Sequence, residues 1–278
     1  MKALHPILVL WTFSRSNNGI IAGFSVILGW YCAELPWNPL IVLSQFICVW
    51  SIVSLGNIHN DIIDFKTDLI NQPMRPIPSR QVSFKIAQTW VLLFLVPPIV
   101  SPILFHTETL GLSLLMIFLV FLYNLKLKGT CLWGNLIVSF LCACAILYPK
   151  FPESTSLQII LAGFAFLYTL AREIVKDLED QIGDEKTHKT TTALYLGVQN
   201  SQYLAMATLS LGLVLSATPV LFKALPLQYF YLWVPGPLIF SLQSLYHLKK
   251  QNWKRSQKSL KFAMIAGMIA IFGSLLSR

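Results

Sequence analysis

Long apolar segments recur along this chain and are separated by short polar stretches. A helix that crosses a membrane needs about 17 to 25 mostly apolar residues, and nine segments reach that length. They cover residues 17–33, 38–58, 86–105, 108–124, 132–148, 155–176, 200–222, 228–247 and 260–276. The runs are continuous and do not alternate in short pieces, which excludes a membrane β-barrel. The pattern predicts an all-α integral membrane protein with nine transmembrane helices, although the soft boundaries also allow eight or ten.

The composition agrees with a membrane protein and excludes several other classes. Hydrophobic residues make up 55% of the 278 residues and charged residues only 12%, which excludes a soluble globular enzyme and a disordered chain. The five cysteines form no CxxC pair or regular framework, so we expect no disulfide scaffold. The net charge of +9 could indicate nucleic-acid binding. The apolar runs make membrane topology the better interpretation, and we expect the lipid bilayer, and no nucleic acid, as a partner.

Lysine and arginine residues lie almost entirely at one set of predicted helix ends. With the N-terminus inside, only 3 of the 21 basic residues fall on the outer face, namely Lys150, Lys223 and Arg278. Basic residues near the ends of membrane helices stay on the cytoplasmic side. The distribution predicts a multi-pass protein of the cell membrane, with its N-terminus in the cytoplasm and its C-terminus outside.

Acidic residues are rare, and most of them lie in two short segments on the predicted cytoplasmic face. Of twelve acidic residues, nine lie within residues 61–68 and 173–185. Both segments contain a DxxDxxxD pattern, formed by Asp61, Asp64 and Asp68 and by Asp177, Asp180 and Asp184. A helix turns about 100° per residue, so each pattern predicts three carboxylates on one helix face. Asn60 lies on the same face as Asp64 and Asp68.

The two acidic patterns follow the second and the sixth predicted spans. They are therefore separated by four helices and have the same orientation in the membrane. This spacing predicts two pseudo-repeated four-helix units with one extra helix. We expect residues 1–278 to form a single membrane domain in which the two patterns meet.

Six carboxylates in one place repel each other unless cations lie between them. Oxygen ligands without a plausible Cys/His set favour Mg²⁺, which completes its shell with water and substrate phosphate. We therefore predict Mg²⁺ ligands among Asn60, Asp61, Asp64, Asp68, Asp177, Asp180 and Asp184, and a diphosphate as the molecule bound. Nearby basic residues can neutralise the remaining phosphate charge; these are Arg75, Lys126, Lys128, Lys186 and Lys189.

Two simpler interpretations of the acidic patterns remain open at this point. An exposed acidic helix end that pairs with neighbouring lysines has no further function. An ion pathway through a transporter also uses acidic residues, but these lie at helix ends and not at mid-membrane.

The motifs resemble those of the UbiA superfamily of intramembrane prenyltransferases over nearly the whole chain. The first motif of that family, NDxxDxxxD, is matched by residues 60–68 and followed by the Pro- and Arg-rich stretch 73–79. The second is matched at residues 177–184, and the basic segment after the fourth helix by Tyr123, Lys126, Lys128, Gly134 and Asn135. Arg15 and Asn18 are similar to an Arg-Pro-x-Asn element, with Ser16 in place of the proline.

The resemblance implies a nine-helix bundle around a central cavity, where two Mg²⁺ ions bind the diphosphate of an isoprenyl donor and a lipophilic acceptor traps the allylic cation. It implies catalytic roles for Asp64, Asp68, Asp177, Asp180, Arg75 and Lys126. Substrate-binding roles follow for Asn60, Arg15, Asn18, Tyr123, Lys128, Lys186 and Lys189. The active site is then expected on the cytoplasmic face.

Residues 172–184 look like the geranylgeranylglyceryl phosphate geranylgeranyltransferase branch of this family. That branch implies geranylgeranyl diphosphate as donor and the hydroxyl of geranylgeranylglyceryl phosphate as acceptor, in ether lipid biosynthesis. Residues 189–193 depart from the expected continuation, which leaves the acceptor open. The alternatives are an aromatic acceptor of the hydroxybenzoate, homogentisate or dihydroxynaphthoate type, as in quinone biosynthesis, and a non-catalytic transporter or lipid-binding protein.

Overall fold

The computed structural model describes residues 6–187 and 189–276, and these residues form helices joined by short connections. Lys2 and Arg278, which entered the charge argument, lie outside the described residues. The helices are α1 (Pro6–Phe13), α2 (Ser16–Cys32), α3 (Pro39–Ile63), α4 (Phe65–Asn71), α5 (Phe84–Phe105), α6 (Leu110–Leu122), α7 (Trp133–Leu147), α8 (Ser156–Lys186), α9 (Thr192–Leu221), α10 (Tyr229–Trp233), α11 (Ile239–Lys249) and α12 (Trp253–Leu276).

Seven helical segments of the described chain are long and apolar enough to cross a membrane. They coincide with seven of the nine predicted spans, so the all-helical membrane class is confirmed. The predicted span 17–33 is helical as α2, which has 17 residues. The predicted span 228–247 is divided by a π-helical turn, Val234–Leu238, because Pro235 and Pro237 have no amide hydrogen to donate. The count of nine transmembrane helices stays a prediction.

Several helices extend beyond their predicted spans, and two of these extensions lie next to the second acidic pattern. α8 was expected to end near residue 176 but continues to Lys186. α9 starts at Thr192 but is kinked at Gly197 (φ 78°), so its segment after the kink begins close to the predicted residue 200. The whole second acidic pattern therefore lies on the last turns of α8. This extension brings the end of α8 close in sequence to the start of α9, with only residues 187–191 between them.

The chain divides into two compact units. The first consists of Met1–Ile27, Pro36–Leu127 and Tyr148–Pro152, and the second of Leu28–Leu35, Lys128–Leu147 and Glu153–Arg278. The main division, after residue 127, follows the fourth predicted span, where the proposed repeat places it. The internal similarity of the two halves and the single domain both stay predictions.

In the first unit, α5 packs along α3, and a buried polar cluster closes the turn between α5 and α6. The His106 ring nitrogens lie 3.1 Å from Ser44 Oγ and 2.6 Å from Thr109 Oγ1. The Ser113 and Tyr148 hydroxyls share a hydrogen bond beside this cluster. An unpaired polar group is costly in a membrane interior. These partners therefore stabilise the short turn between the predicted spans 86–105 and 108–124.

In the second unit, α8 is the central helix and packs against α7, α9 and α12. Its first turn is fixed by a capping box between Thr155 and Gln158. Near the middle of α8 the Tyr168 side chain is fully buried, and its hydroxyl lies 2.6 Å from Ser241 Oγ. Gly212 of α9 lies directly against the Tyr168 ring, so the close approach of α8 and α9 depends on this glycine.

We predict that Gly212→Ala destabilises the protein. An added Cβ would lie 2.9 Å from Tyr168 Cδ2 and 3.2 Å from Leu167 Cβ, and the tyrosine is fixed by its hydrogen bond. Overpacking of this kind costs about 1–3 kcal/mol, which a lower apparent Tm of the purified protein in detergent would show. Gly111→Ala is the matched control, because nothing lies within 4 Å of its added Cβ. Equal Tm values for both variants would contradict this packing.

Candidate active site

Arg15 is held by an unusual turn between α1 and α2. Its backbone has a φ of +49°, which is uncommon for a residue other than glycine. The turn is stabilised by Asn57 of α3, whose Nδ2 donates to the Ser14 carbonyl oxygen at 3.0 Å. In this position Arg15 Nη2 lies 2.8 Å from Asp61 Oδ1. The structure therefore places Arg15 beside the first acidic pattern.

Arg75 joins the two ends of the first acidic pattern. Its Nη1 lies 2.6 Å from Asp68 Oδ2 and 3.3 Å from Asp61 Oδ1. Both aspartates are buried, whereas the Arg75 side chain is 29% exposed. A buried carboxylate is stable only with charged or hydrogen-bonding partners, and here two guanidinium groups supply them. Arg15, Asp61, Asp68 and Arg75 form what we call the first acidic group, together with Asn60 and Asp64.

The first pattern does not lie on one continuous helix, so the predicted single helix face is wrong in this detail. α3 ends at Ile63 and α4 begins at Phe65, with Asp64 between them at φ −80° and ψ 1°. Asn60 Nδ2 donates to Asp64 Oδ2 at 3.1 Å. The break gives Asp64 a different environment from Asp61 and Asp68: it is less buried and contacts an amide.

The second pattern lies on α8, and its first carboxylate joins three helices. Asp177 Oδ2 accepts from Asn135 Nδ2 of α7 at 2.9 Å and from the Thr192 backbone amide at the start of α9 at 3.2 Å. Asn135 Nδ2 also lies 3.1 Å from Thr192 Oγ1. These neutral donors fix the orientation of Asp177 without neutralising its charge. We call the carboxylates Asp177, Asp180 and Asp184 the second acidic group.

Asp184 is buried at the end of α8 and paired with a lysine. Lys189 Nζ lies 2.8 Å from Asp184 Oδ1, and the Lys189 amide donates to the Asp184 carbonyl oxygen at 3.1 Å. Gly129 has a φ of +80°, and a Cβ there would lie 2.9 Å from Lys189 Cδ. This glycine therefore permits the close contact. Asp180, by contrast, is exposed.

A further buried carboxylate lies one turn before Asp177. Glu173 is 6% exposed, with Arg172 Nη2 at 3.1 Å and Lys176 Nζ at 3.5 Å. Its charge is thus balanced by its sequence neighbours, which distinguishes it from Asp177.

The remaining predicted substrate residues differ in how far they are exposed. Asn18, Lys126 and Lys186 are exposed, and Tyr123 and Lys128 are partly buried. Tyr123 and Lys126 belong to the π-helical turn Tyr123–Leu127 that ends α6.

Four residues that contribute to the site were not among the predicted site residues. Asn57, Asn124, Asn135 and Thr192 each provide polar contacts close to the acidic patterns; Asn124 Nδ2 donates to the Gly56 carbonyl oxygen at 3.0 Å. For the three asparagines, the available signal was an amide in or beside an apolar helix, which is costly there unless it has partners. Asn135 also belongs to the segment that resembles the basic motif of the family. Thr192 gave no comparable signal.

The donor chemistry of both groups fits Mg²⁺. Within residues 6–187 and 189–276, no three His, Cys, Asp or Glu side chains are close enough to form a complete metal cage. Mg²⁺ does not require one, because it usually binds one or two carboxylates together with water and substrate phosphate. The predicted ligands supply only carboxylate and amide oxygens, as a hard cation requires.

Known proteins resemble this chain along nearly its whole length. Digeranylgeranylglyceryl phosphate synthase from Methanosarcina mazei is 33% identical, covering 94% of this chain and 96% of its own. The protein of the same name from Saccharolobus solfataricus is 34% identical, covering 92% and 91%.

Solved structures have the same fold. A structure of digeranylgeranylglyceryl phosphate synthase has a TM-score of 0.81 at 25% identity and covers 98% of this chain and 99% of its own. A UbiA homologue from Archaeoglobus fulgidus, bound to GPP and Mg²⁺, has a TM-score of 0.67 at 12% identity and covers 96% and 99%. The UbiA prenyltransferase family model matches residues 21–267. The chain therefore belongs to the UbiA prenyltransferase family.

Proposed function

We propose that this protein transfers a geranylgeranyl group from its diphosphate to the hydroxyl of geranylgeranylglyceryl phosphate, in ether lipid biosynthesis. The family and the names of the relatives support this reaction. The observation that carries it is the first acidic group, in which Arg75 contacts both Asp61 and Asp68. This one cluster contains carboxylates that can bind a cation and guanidinium groups that can bind phosphate oxygens.

The first acidic group provides both charges that a magnesium diphosphate needs. Each guanidinium has five N–H donors and recognises phosphate in a bidentate manner. Arg15 and Arg75 are partly exposed, so their remaining donors are available to phosphate oxygens. We propose Asn60, Asp61, Asp64 and Asp68 as the oxygen ligands of Mg²⁺ in this group.

We propose the same division of roles in the second acidic group. Asp177, Asp180 and Asp184 are the metal ligands, and Asn135 and Thr192 orient Asp177 through its Oδ2. Partners that orient a ligand usually matter for metal affinity nearly as much as the ligand itself. Lys128, Lys186 and Lys189 bind phosphate oxygens, with Asn18, Tyr123 and Lys126 as further substrate contacts.

The reaction breaks the bond between the allylic carbon and the diphosphate oxygen, and the electron pair leaves with the diphosphate. The acceptor hydroxyl oxygen then forms the new carbon–oxygen bond and loses its proton. Mg²⁺, when bound, would neutralise part of the negative charge that develops on the leaving diphosphate. Arg75 and Lys126 donate hydrogen bonds to the departing diphosphate, which lowers the barrier to ionisation.

The topology forms part of the proposal. We propose a single domain of nine transmembrane helices around a central cavity, with the N-terminus and the active site on the cytoplasmic side of the cell membrane. The one-sided distribution of basic residues supports this orientation. An apolar cavity protects the allylic cation from water, which otherwise traps it.

We predict that the purified protein, given geranylgeranyl diphosphate and Mg²⁺, alkylates geranylgeranylglyceryl phosphate and releases diphosphate. EDTA should abolish product formation, and added Mg²⁺ should restore it.

Asp64→Asn and Asp180→Asn should each lower the rate of prenyl transfer at least about 100-fold, since each removes a charged ligand. The control Glu108→Gln, at an exposed position, should not lower this rate. Transfer to aromatic acceptors only would contradict the proposed acceptor. The absence of diphosphate release with any acceptor would contradict the proposal that the protein is an enzyme.

We predict that Arg75→Lys lowers kcat/KM for the diphosphate about tenfold or more, because a lysine cannot bridge Asp61 and Asp68 and bind phosphate in a bidentate manner. Steady-state kinetics with varied donor concentration measures this effect. Arg80→Lys is the matched control, since Arg80 is exposed and forms no ion pair with a described residue. An unchanged kcat/KM in Arg75→Lys would contradict the proposed role.

We predict that Asn135→Ala raises the Mg²⁺ concentration needed for half-maximal activity about 10- to 100-fold, because Asp177 loses its amide donor. A Mg²⁺ titration of the transfer rate measures this shift. Asn200→Ala is the control, since the exposed Asn200 amide donates only to the Leu196 carbonyl oxygen of its own helix. A loss of rate without a shift in Mg²⁺ dependence would argue against the orienting role.

A further inference from the structure

Six basic residues lie close together where α11 meets α12. All six are exposed, and all lie within a segment of thirteen residues. They are Lys249, Lys250, Lys254, Arg255, Lys258 and Lys261, and we call the segment 249–261 the basic loop.

The cations of the basic loop lack the pairing seen elsewhere in the protein. Arg15, Arg75 and Lys189 each lie within 3.5 Å of a carboxylate oxygen. No residue of the basic loop has an ion pair within the described part of the chain; Lys258 Nζ lies 5.8 Å from the centroid of the Phe262 ring. Six exposed positive charges therefore remain to be balanced by something outside the chain.

The backbone of the basic loop is held in one conformation. Only Lys250, Gln251 and Asn252 separate the two helices, and Gln251 has a φ of +55°. The Asn252 amide donates to the His247 carbonyl oxygen at 2.9 Å. The buried Ser244 and Ser256 hydroxyls lie 2.7 Å apart and join α11 to α12. The basic side chains thus extend from an ordered backbone. A ligand that binds them therefore causes little further loss of backbone entropy.

The position of the basic loop within the second unit is set by its apolar residues. Leu248 and Leu260 are fully buried and belong to the same core cluster as Ile174 and Val175 of α8. Those α8 residues immediately precede Asp177. The basic loop therefore lies at the same end of this unit as the second acidic group, where apolar helices give way to charged residues and phospholipid headgroups are expected.

We propose that the basic loop binds the phosphate headgroups of anionic phospholipids in the surrounding bilayer. A cluster of basic residues next to a membrane helix attracts anionic lipids, with a contribution from each cation near the surface. Because α12 fixes the loop at the boundary of the bilayer, lipid phosphates lie within reach of all six side chains. This binding requires no prenyl transfer and is independent of the proposed reaction.

Spin-labelled lipids test the proposal on the full-length protein in phosphatidylcholine vesicles. We expect labelled phosphatidylglycerol to be enriched next to the protein, relative to labelled phosphatidylcholine, at low ionic strength and less so at high salt. The variant Lys249→Gln, Lys250→Gln, Lys254→Gln and Arg255→Gln should lower the enrichment at least about twofold. The charge-conserving variant Lys249→Arg, Lys250→Arg, Lys254→Arg and Arg255→Lys should keep it.

Equal enrichment of labelled phosphatidylglycerol around the neutralised and the original proteins would overturn the proposal. It would also be overturned if the charge-conserving variant lost as much of this enrichment as the neutralised variant. Displacement of the labelled lipid by inorganic phosphate at constant ionic strength would also overturn it, because the site would then recognise free phosphate. Prenyl transfer in detergent serves as the test of folding. The lipid measurement does not depend on that activity, so failure of either proposal is distinguishable from failure of the other.

Discussion

Burial of a carboxylate beside a membrane is the constraint on which both acidic groups depend. Removing an ionised group from water is costly unless other groups replace its hydration. The first acidic group meets this cost with the guanidinium groups of Arg15 and Arg75. The second meets it with neutral donors at Asp177 and a lysine at Asp184. The helix breaks, the positive-φ turn at Arg15 and the close contact at Gly129 all bring these partners into place.

The first and second acidic groups differ in electrostatic character because their carboxylates have different partners. In the first, two arginines lie at the carboxylates, so both signs of charge are present within one cluster. In the second, an amide and a backbone N–H orient Asp177, and neither donor carries a charge. Asp180 is exposed and open to a ligand.

Much of the fold could be predicted because its signals are local: apolar length identifies most helices, and the scarcity of acids identifies both motifs. The remaining features depend on contacts distant in sequence. The partners of Asp177 are 42 and 15 residues away, and no periodicity connects them. The break at Asp64 reflects how α4 packs after α3, and the extension of α8 to Lys186 is hidden by polar residues that resemble a helix end. The acidic motifs could be identified as candidate ligands, whereas the contacts of Asn57 and Thr192 beside them could not be predicted.

The turn between α5 and α6 has a consequence for how three helices are held together. Only His106 and the short segment Thr107–Thr109 connect α5 to α6. One ring nitrogen of His106 lies at Thr109 Oγ1 within this turn, and the other lies at Ser44 Oγ of α3. A single imidazole therefore couples the position of α3 to the position of the helix pair α5 and α6.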